Sequence, residues 1–222
     1  MVRRTKADAA ATRQALIYAA ERCFSRLGVA GATLTKVAAE AGLTRGAIYW
    51  HFANKADLLD AVVAQVCVPL EAASGLGEHG VAGPADIEEL RAGLHAALAW
   101  IASDERAQRV LRLIMLRTEN AGEAAELLAL KRREFQRGHA RLRALFAQPP
   151  LRDRLRAGVT PEVAALTLQA VFNGVLLQHF VAPDLQNLVR DGTRQVDAVL
   201  RGLVVDELAE YDPRPATRVS RG

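Results

Sequence analysis

The chain is poor in cysteine. Cys23 and Cys67 are the only two in 222 residues, and they have neither metal-ligand nor redox spacing. Two thiols build no disulfide framework, so a reducing, cytoplasmic compartment fits best. The basic start Met1-Val2-Arg3-Arg4-Thr5-Lys6 is followed by no apolar signal core. On this reading no stretch of ~18 uncharged apolar residues occurs, and no membrane span is expected. The five histidines, at 51, 79, 95, 139 and 179, are scattered, and none lies four residues from another or from a cysteine. There is no phosphate-cradling glycine loop, no Gly-x-Ser-x-Gly elbow and no zinc motif. Internal repeats and convincing strand runs are missing too. These absences argue against an enzyme, and no catalytic residue, cofactor or metal is expected.

Half the residues are hydrophobic and 24% are charged, which is ample for a globular core. The net charge of +4 is unevenly spread. Residues 1–55 hold nine basic and three acidic residues, while the remaining 167 hold 20 and 22. A basic first quarter on a near-neutral body suggests a head that binds a polyanion.

The apolar pattern is helical nearly throughout. Leu16, Ala20, Cys23, Phe24 and Leu27 form one stripe on a helix over 9–28, with Gly28 as its stop. Residues 33–52 give two short helices around Gly42. Asn54 suits the N-cap of a helix over 55–73, whose stripe is Leu58, Leu59, Val62, Val66 and Leu70 and whose Pro69 predicts a kink or early end. The glycine-rich stretch 74–84 reads as a loop. Helices are expected at about 86–102, 104–119, 122–147, 161–181 and 185–209, with Thr160-Pro161 starting the fourth of these. The basic face of 131–143 reads as a solvated surface. The segmentation gives a basic head over 1–55, a helical body over 56–210, and a disordered tail over 211–222.

Residues 34–52 carry the chemistry. Ala38 is small where two helices cross, and Gly42 allows a turn with positive φ. Val37, Ala41, Leu43, Ile48 and Phe52 supply the inner packing. Thr35 is the expected cap of the first helix and Thr44 of the second. The second helix is aromatic and polar outside its core positions, with Thr44, Arg45, Gly46, Tyr49, Trp50 and His51. Such groups suit base edges and phosphates in a major groove, although Trp50 taken alone also suits a core. Lys55, at the next helix start, is placed for a phosphate.

The run Thr44-Arg45-Gly46-Ala47-Ile48-Tyr49-Trp50-His51-Phe52, followed by Asn54-Lys55-Ala56-Asp57-Leu58, resembles the TetR family signature. With Arg3-Arg4-Thr5-Lys6 and Thr12-Arg13 it is similar to the AcrR- and TtgR-like branch, the regulators of multidrug efflux pumps. The match covers about residues 2–62. The resemblance implies an all-α, nine-helix fold and a homodimeric, ligand-regulated repressor. It also implies DNA contacts from Thr33, Thr35, Lys36, Thr44, Arg45, Gly46, Tyr49, Trp50, His51 and Lys55, with two reading helices in successive major grooves of a pseudo-palindromic double-stranded operator.

The helix over 161–181 is apolar on nearly every side, and a partner subunit would bury what its own chain leaves open. Val163, Leu166, Val171, Gly174, Val175 and, on the last helix, Leu200 are the candidate dimer residues. The central helices are expected to enclose a pocket for a small hydrophobic or aromatic effector, lined by Val66, Trp100, Leu111, Ile114, Met115 and Phe172. Asn173 and Gln178 are its candidate polar handles. Residues 116–119 (Leu-Arg-Thr-Glu) and Cys67 depart from the branch, which leaves a neutral or anionic effector at least as well supported as a cationic drug. The competing reading is a ligand-independent or activating DNA-binding regulator of other metabolic genes.

Overall fold

The computed structural model describes residues 6–76, 84, 86–116 and 124–205. Among them the chain forms nine α-helices and one 3-10 turn, and the only strand-like feature is an isolated bridge between Leu155 and Val204. The all-α expectation is met. The proposed tail, part of the 74–84 loop and residues 117–119 lie outside the described residues.

Helix α1 (Lys6–Gly31) is interrupted at Gly28, whose φ of 79° is a conformation glycine adopts at little cost. Its buried arc is wider than one stripe, because α2 packs against it from one side and α4 and α6 from others. Ile17 and Ala19 are therefore buried with Leu16, Ala20, Cys23 and Phe24, whereas Leu27 is exposed. Helices α2 (Leu34–Glu40) and α3 (Arg45–Tyr49) follow, then α4 (Lys55–Ala73). At the start of α4, Asn54 Oδ1 accepts from the Asp57 N–H at 2.9 Å, and the Asp57 carboxylate accepts from the Ala53 N–H at 3.0 Å. This local reciprocal cap resembles a capping box. Pro69 lies inside α4, which runs on to Ala73 instead of ending early.

The body continues with α5 (Ile87–Ser103), α6 (Glu105–Leu116), α7 (Ala124–Phe146), α8 (Pro161–Val181) and α9 (Arg190–Leu203). Thr160 caps α8 by accepting from the Val163 N–H, with Pro161 in the first turn. Helix α9 begins at Arg190, five residues later than the apolar pattern suggested. There Asn187 Oδ1 accepts from the Arg190 N–H and Asp191 Oδ2 accepts from the Asn187 N–H, each at 2.8 Å, leaving Leu185 outside and exposed.

The first half of α4 belongs physically to the head. Leu58, Leu59 and Val62 share a core with Leu16, Phe24, Val37, Ile48 and Phe52, all essentially buried. Beyond Val62 the helix enters the body, packing on α5 and α6. Helix α8 packs against α6, α7 and α9. It corrects one expectation: by length and composition alone it could cross a membrane. Instead Leu168, Val175, Leu176 and Phe180 are part of the protein core, and Gln169, Asn173 and Gln178 break its apolar surface.

Candidate DNA interface and effector cavity

Helices α2 and α3 meet through a turn at Gly42, which takes a φ of 69°, as its placement predicted. Thr44 caps α3, its hydroxyl accepting from the Ala47 N–H at 3.3 Å. The cap of α2 is Thr33 rather than Thr35: Thr33 Oγ1 accepts from the Lys36 N–H at 3.2 Å. Capping needs the extended residue before the first turn, and Thr33 is that residue, with φ −106° and ψ 156°. Thr35 lies within the helix and is exposed.

The reader has a clean inside and outside. Val37, Ala38, Ile48 and Phe52 are buried, and Ala41 and Leu43 pack on them. Thr33, Thr35, Lys36, Thr44, Arg45, Gly46, Tyr49 and Trp50 are exposed, while His51 and Lys55 are half-buried. Trp50 is 90% exposed, which removes the core alternative. The Arg45 guanidinium lies 5.8 Å from the Tyr49 ring centroid, near the outer limit of a cation–π contact. Two cations are partly engaged. Lys36 Nζ donates to the Gly31 carbonyl at 2.8 Å, and Lys55 Nζ sits 3.8 Å from Glu126 of α7.

A cavity of about 210 Å³ lies between α4, α5, α6, α7 and α8. Five of the eight expected pocket residues line it: Leu111, Ile114, Met115, Phe172 and Asn173. No hydrogen bond within the described residues engages the Asn173 carboxamide, so its donors and acceptor are available to the cavity. An adjoining depression of about 540 Å³ shares Ile114, Met115, Lys131, Phe135, Gln169 and Asn173 with it. Three expected residues do not line the cavity. Val66 is buried in the core. Trp100 lies six residues beyond Leu94, the α5 residue at the wall, and so about 9 Å further along its helix. Gln178 is exposed, since five positions past Asn173 turns it roughly 140° around α8.

Sequence reasoning missed the part of the wall supplied by α7. Lys131, Glu134, Phe135, Gly138, Arg141 and Leu142 all border the cavity. The basic face of α7 is solvated at Arg132, Arg137 and Arg143, as expected, but two of its arginines reach across to α4. Arg133 pairs with Asp60 and Arg141 with Glu71, and Glu134 pairs with Arg137 on its own helix at 3.6 Å. The signal in the sequence was Asp60 and Glu71, the two acids of α4 that its N-terminal cap does not use. The wall therefore carries two carboxylates, Glu71 and Glu134, and two cations, Lys131 and Arg141. Cys67 also borders it. Burial, with Glu134 and Glu71 nearby, pushes its thiol up to about 12, so it stays protonated and acts as a small apolar wall group.

Of the candidate dimer residues, Val163 and Leu166 are 45% and 52% exposed on α8. Val171 is half-buried against the core, and nothing lies within 4 Å of where a side chain on Gly174 would start. Val175 and Leu200 are buried within the single chain; α8, α9 and α5 pack together there, and these two residues leave little surface for a partner. Leu177 and Val181 are exposed on α8 in their place.

A helix-turn-helix reader carried by an all-α body defines a DNA-binding regulator of transcription. Residues 8–62 match the tetR family of bacterial regulatory proteins, and residues 85–205 match the C-terminal region of MAATS-type transcriptional repressors. The chain is 34% identical to the transcriptional repressor BepR of Brucella suis biovar 1 (strain 1330), over 91% of this chain and 96% of that protein. Its fold is similar to that of SmeT, repressor of the Stenotrophomonas maltophilia multidrug efflux pump SmeDEF, solved in complex with triclosan. That likeness has a TM-score of 0.78 and 32% identity, covering 89% of this chain and 94% of SmeT. NalD, secondary repressor of the Pseudomonas aeruginosa MexAB-OprM multidrug efflux pump, gives 0.77 and 32%, over 90% and 100%. The chain belongs to the TetR family, in the branch of the efflux pump repressors, and its relatives are regulators rather than enzymes.

Proposed function

We propose that this protein binds a pseudo-palindromic operator as a homodimer, represses an efflux pump operon, and is released by a small hydrophobic or aromatic effector. The observation that carries this reading is one helix with two attachments. The first half of α4 shares the core of the DNA reader, and its second half, through Cys67, Leu70 and Glu71, walls the cavity. Thr33, Thr35, Lys36, Thr44, Arg45, Gly46, Tyr49, Trp50, His51 and Lys55 are the proposed DNA contacts. A role on DNA supports a cytoplasmic location.

An effector can release DNA only if it binds the DNA-incompetent conformation more tightly. A ligand that displaces the cavity end of α4 changes the direction of the head, and in a dimer the spacing of two heads. Two carboxylates matched by two cations leave the wall without net formal charge, which supports a neutral effector held by apolar contact and oriented by Asn173. The membership of the chain among efflux pump repressors supports the choice of operon.

Mobility shift on the duplex upstream of the protein's own reading frame tests the reading. The duplex is expected to be retarded, and compounds exported by an adjacent pump to abolish the retardation. Retardation that no compound in a broad drug panel reverses would leave the regulator without its effector arm and overturn that part of the proposal.

A further inference from the structure

Helix α4 is not the only element joining head to body. Glu21, near the middle of α1, is 3% exposed, a rare state for a carboxylate. Its two oxygens are taken by two arginines of α6. Arg106 Nε donates to Oε2 at 2.6 Å, and Arg109 Nη2 donates to Oε1 at 3.1 Å. The Arg106 guanidinium lies 4.3 Å from the Tyr18 ring centroid, one helical turn before Glu21. Its Nη2 is buried with no acceptor, so Glu21 is the group that compensates its charge. Arg109 is half in solvent and also faces Glu105 at 3.7 Å.

The far end of the same helix walls the cavity. Leu111, Ile114 and Met115 line it, only five to nine residues past Arg106, or about 8–14 Å along the helix. Helix α6 is therefore a short rod with one end fixed to the head by a buried charge and the other facing the effector site. This contact resists sliding, because pulling Glu21 away from Arg106 and Arg109 would leave a buried carboxylate uncompensated. Apolar packing, by contrast, tolerates small shifts.

We propose that Glu21 is a positioning residue for regulation: through Arg106 it fixes α1 to α6, so that displacement of the cavity wall at Leu111, Ile114 and Met115 is passed to the head as movement of α1. This rests on the effector-controlled reading above and adds a second path to it, separate from α4. Coupling between two sites is reciprocal, so operator binding must in turn steady the cavity end of α6.

Two measurements on the full-length protein test this, with the duplex upstream of its own reading frame as DNA and triclosan as effector probe. The variants are Glu21→Gln, which keeps the shape of the carboxylate, and the double change Glu21→Met with Arg106→Met, which replaces the pair by apolar groups that can pack. Hydrogen exchange of the Val110–Leu116 amides is expected to slow at least threefold when the wild type binds the duplex, and to stay unchanged on binding in both variants. The weakening of DNA binding by triclosan is expected to shrink about tenfold in the variants, with affinity for the duplex alone within about threefold of wild type. A purely structural role predicts lower melting temperatures with wild-type protection and release; that result in either variant overturns the proposal. If Glu21→Gln does not fold, the double variant decides alone. If triclosan does not release the wild type, the exchange measurement decides. A wild type that does not bind the duplex refutes the repressor reading itself, and this inference with it, whereas a wild type and variants that respond alike refute only the role of Glu21.

Discussion

Ile48 and Trp50 lie two residues apart at the end of the reading helix and have opposite surroundings: the first is completely buried and the second is 90% exposed. Ile48, with Phe52 four residues later, faces the core of α1 and α4. Arg45, Tyr49 and Trp50 stand outside it. Side-chain direction alone separates scaffold from reader within one turn of chain.

Replacing the two kinds of residue should therefore fail differently. Ile48→Ala is expected to cost about 2–5 kcal/mol and to unfold the head, visible as a lower melting temperature and loss of all DNA binding. Trp50→Ala, Tyr49→Ala and Arg45→Ala should change stability by no more than about 0.5 kcal/mol. Each should still weaken operator binding about tenfold or more, the usual worth of a base-edge contact. Normal operator binding by both Tyr49→Ala and Arg45→Ala would show that this helix does not read DNA.

The joint between α4 and α5 makes a second prediction. A methyl group placed on Gly93 would meet the Ser74 carbonyl oxygen at 2.3 Å and its carbon at 2.7 Å. That obstacle is backbone at the end of α4, so it cannot swing aside like a side chain. Gly93→Ala should destabilise by about 1–3 kcal/mol, the cost of overpacking. Gly202→Ala, on α9 with nothing within 4 Å, should be neutral or slightly stabilising, since alanine is the better helix former. Thermal melts of the two variants side by side give the comparison, and equal melting temperatures would mean that α4 and α5 are not held this closely.

Cys67 predicts a dependence on pH. Its thiol is pushed up from 9.0 to about 12, chiefly by burial and then by Glu134 and Glu71. The folded state thus keeps a proton that the unfolded chain gives up. Stability from this group is complete below about pH 9 and is lost as pH rises toward about 12. Cys67→Ala removes the effect. Above about pH 9.5 the wild type should lose up to about 1.4 kcal/mol per pH unit more than the variant, measured by urea unfolding at pH 8, 9, 10 and 10.5. Parallel curves would show that the thiol is solvated. At pH 7.5 the raised pKa should make Cys67 react with iodoacetamide more slowly in the folded protein than in the unfolded chain.

What could be read from the sequence followed the range of the forces involved. Caps and turns are local, and so Thr44, Asn54, Thr160, Gly28 and Gly42 could be assigned from neighbouring residues. The exception, Thr33 for Thr35, came from an error of two residues in where α2 begins. The exposed face of residues 33–55 was legible because two short packed helices fix their own inside and outside. The cavity was only half legible. Its apolar wall on α6 and α8 follows helical periodicity, but the contribution of α7 depends on Arg133 and Arg141 reaching Asp60 and Glu71 more than sixty residues away. No periodicity encodes that. The same limit placed Val175 and Leu200 on an outer face, when the packing of α9 on α8 had already enclosed them.

The outer face that remains on α8 makes the last prediction. Val163, Leu166, Leu177 and Val181 are 45%, 52%, 43% and 66% exposed, and Ala170 and Gly174 lie between them. Their steps of three and four residues trace one seam along the helix, with small residues at its centre where a second helix could approach closely. Four exposed aliphatic side chains in a row are costly to leave in water, and a second copy of the same helix would cover them. The wild type is thus expected to sediment as a dimer. Leu166→Glu combined with Leu177→Glu, which places four like charges along the paired seam, should give a folded monomer with an unchanged head. Its affinity for the full operator should fall about a hundredfold or more, because two half-sites bound by linked heads gain an effective concentration that separate heads lack, while its weak binding to a single half-site persists. A double variant that still sediments as a dimer would move the interface away from this seam.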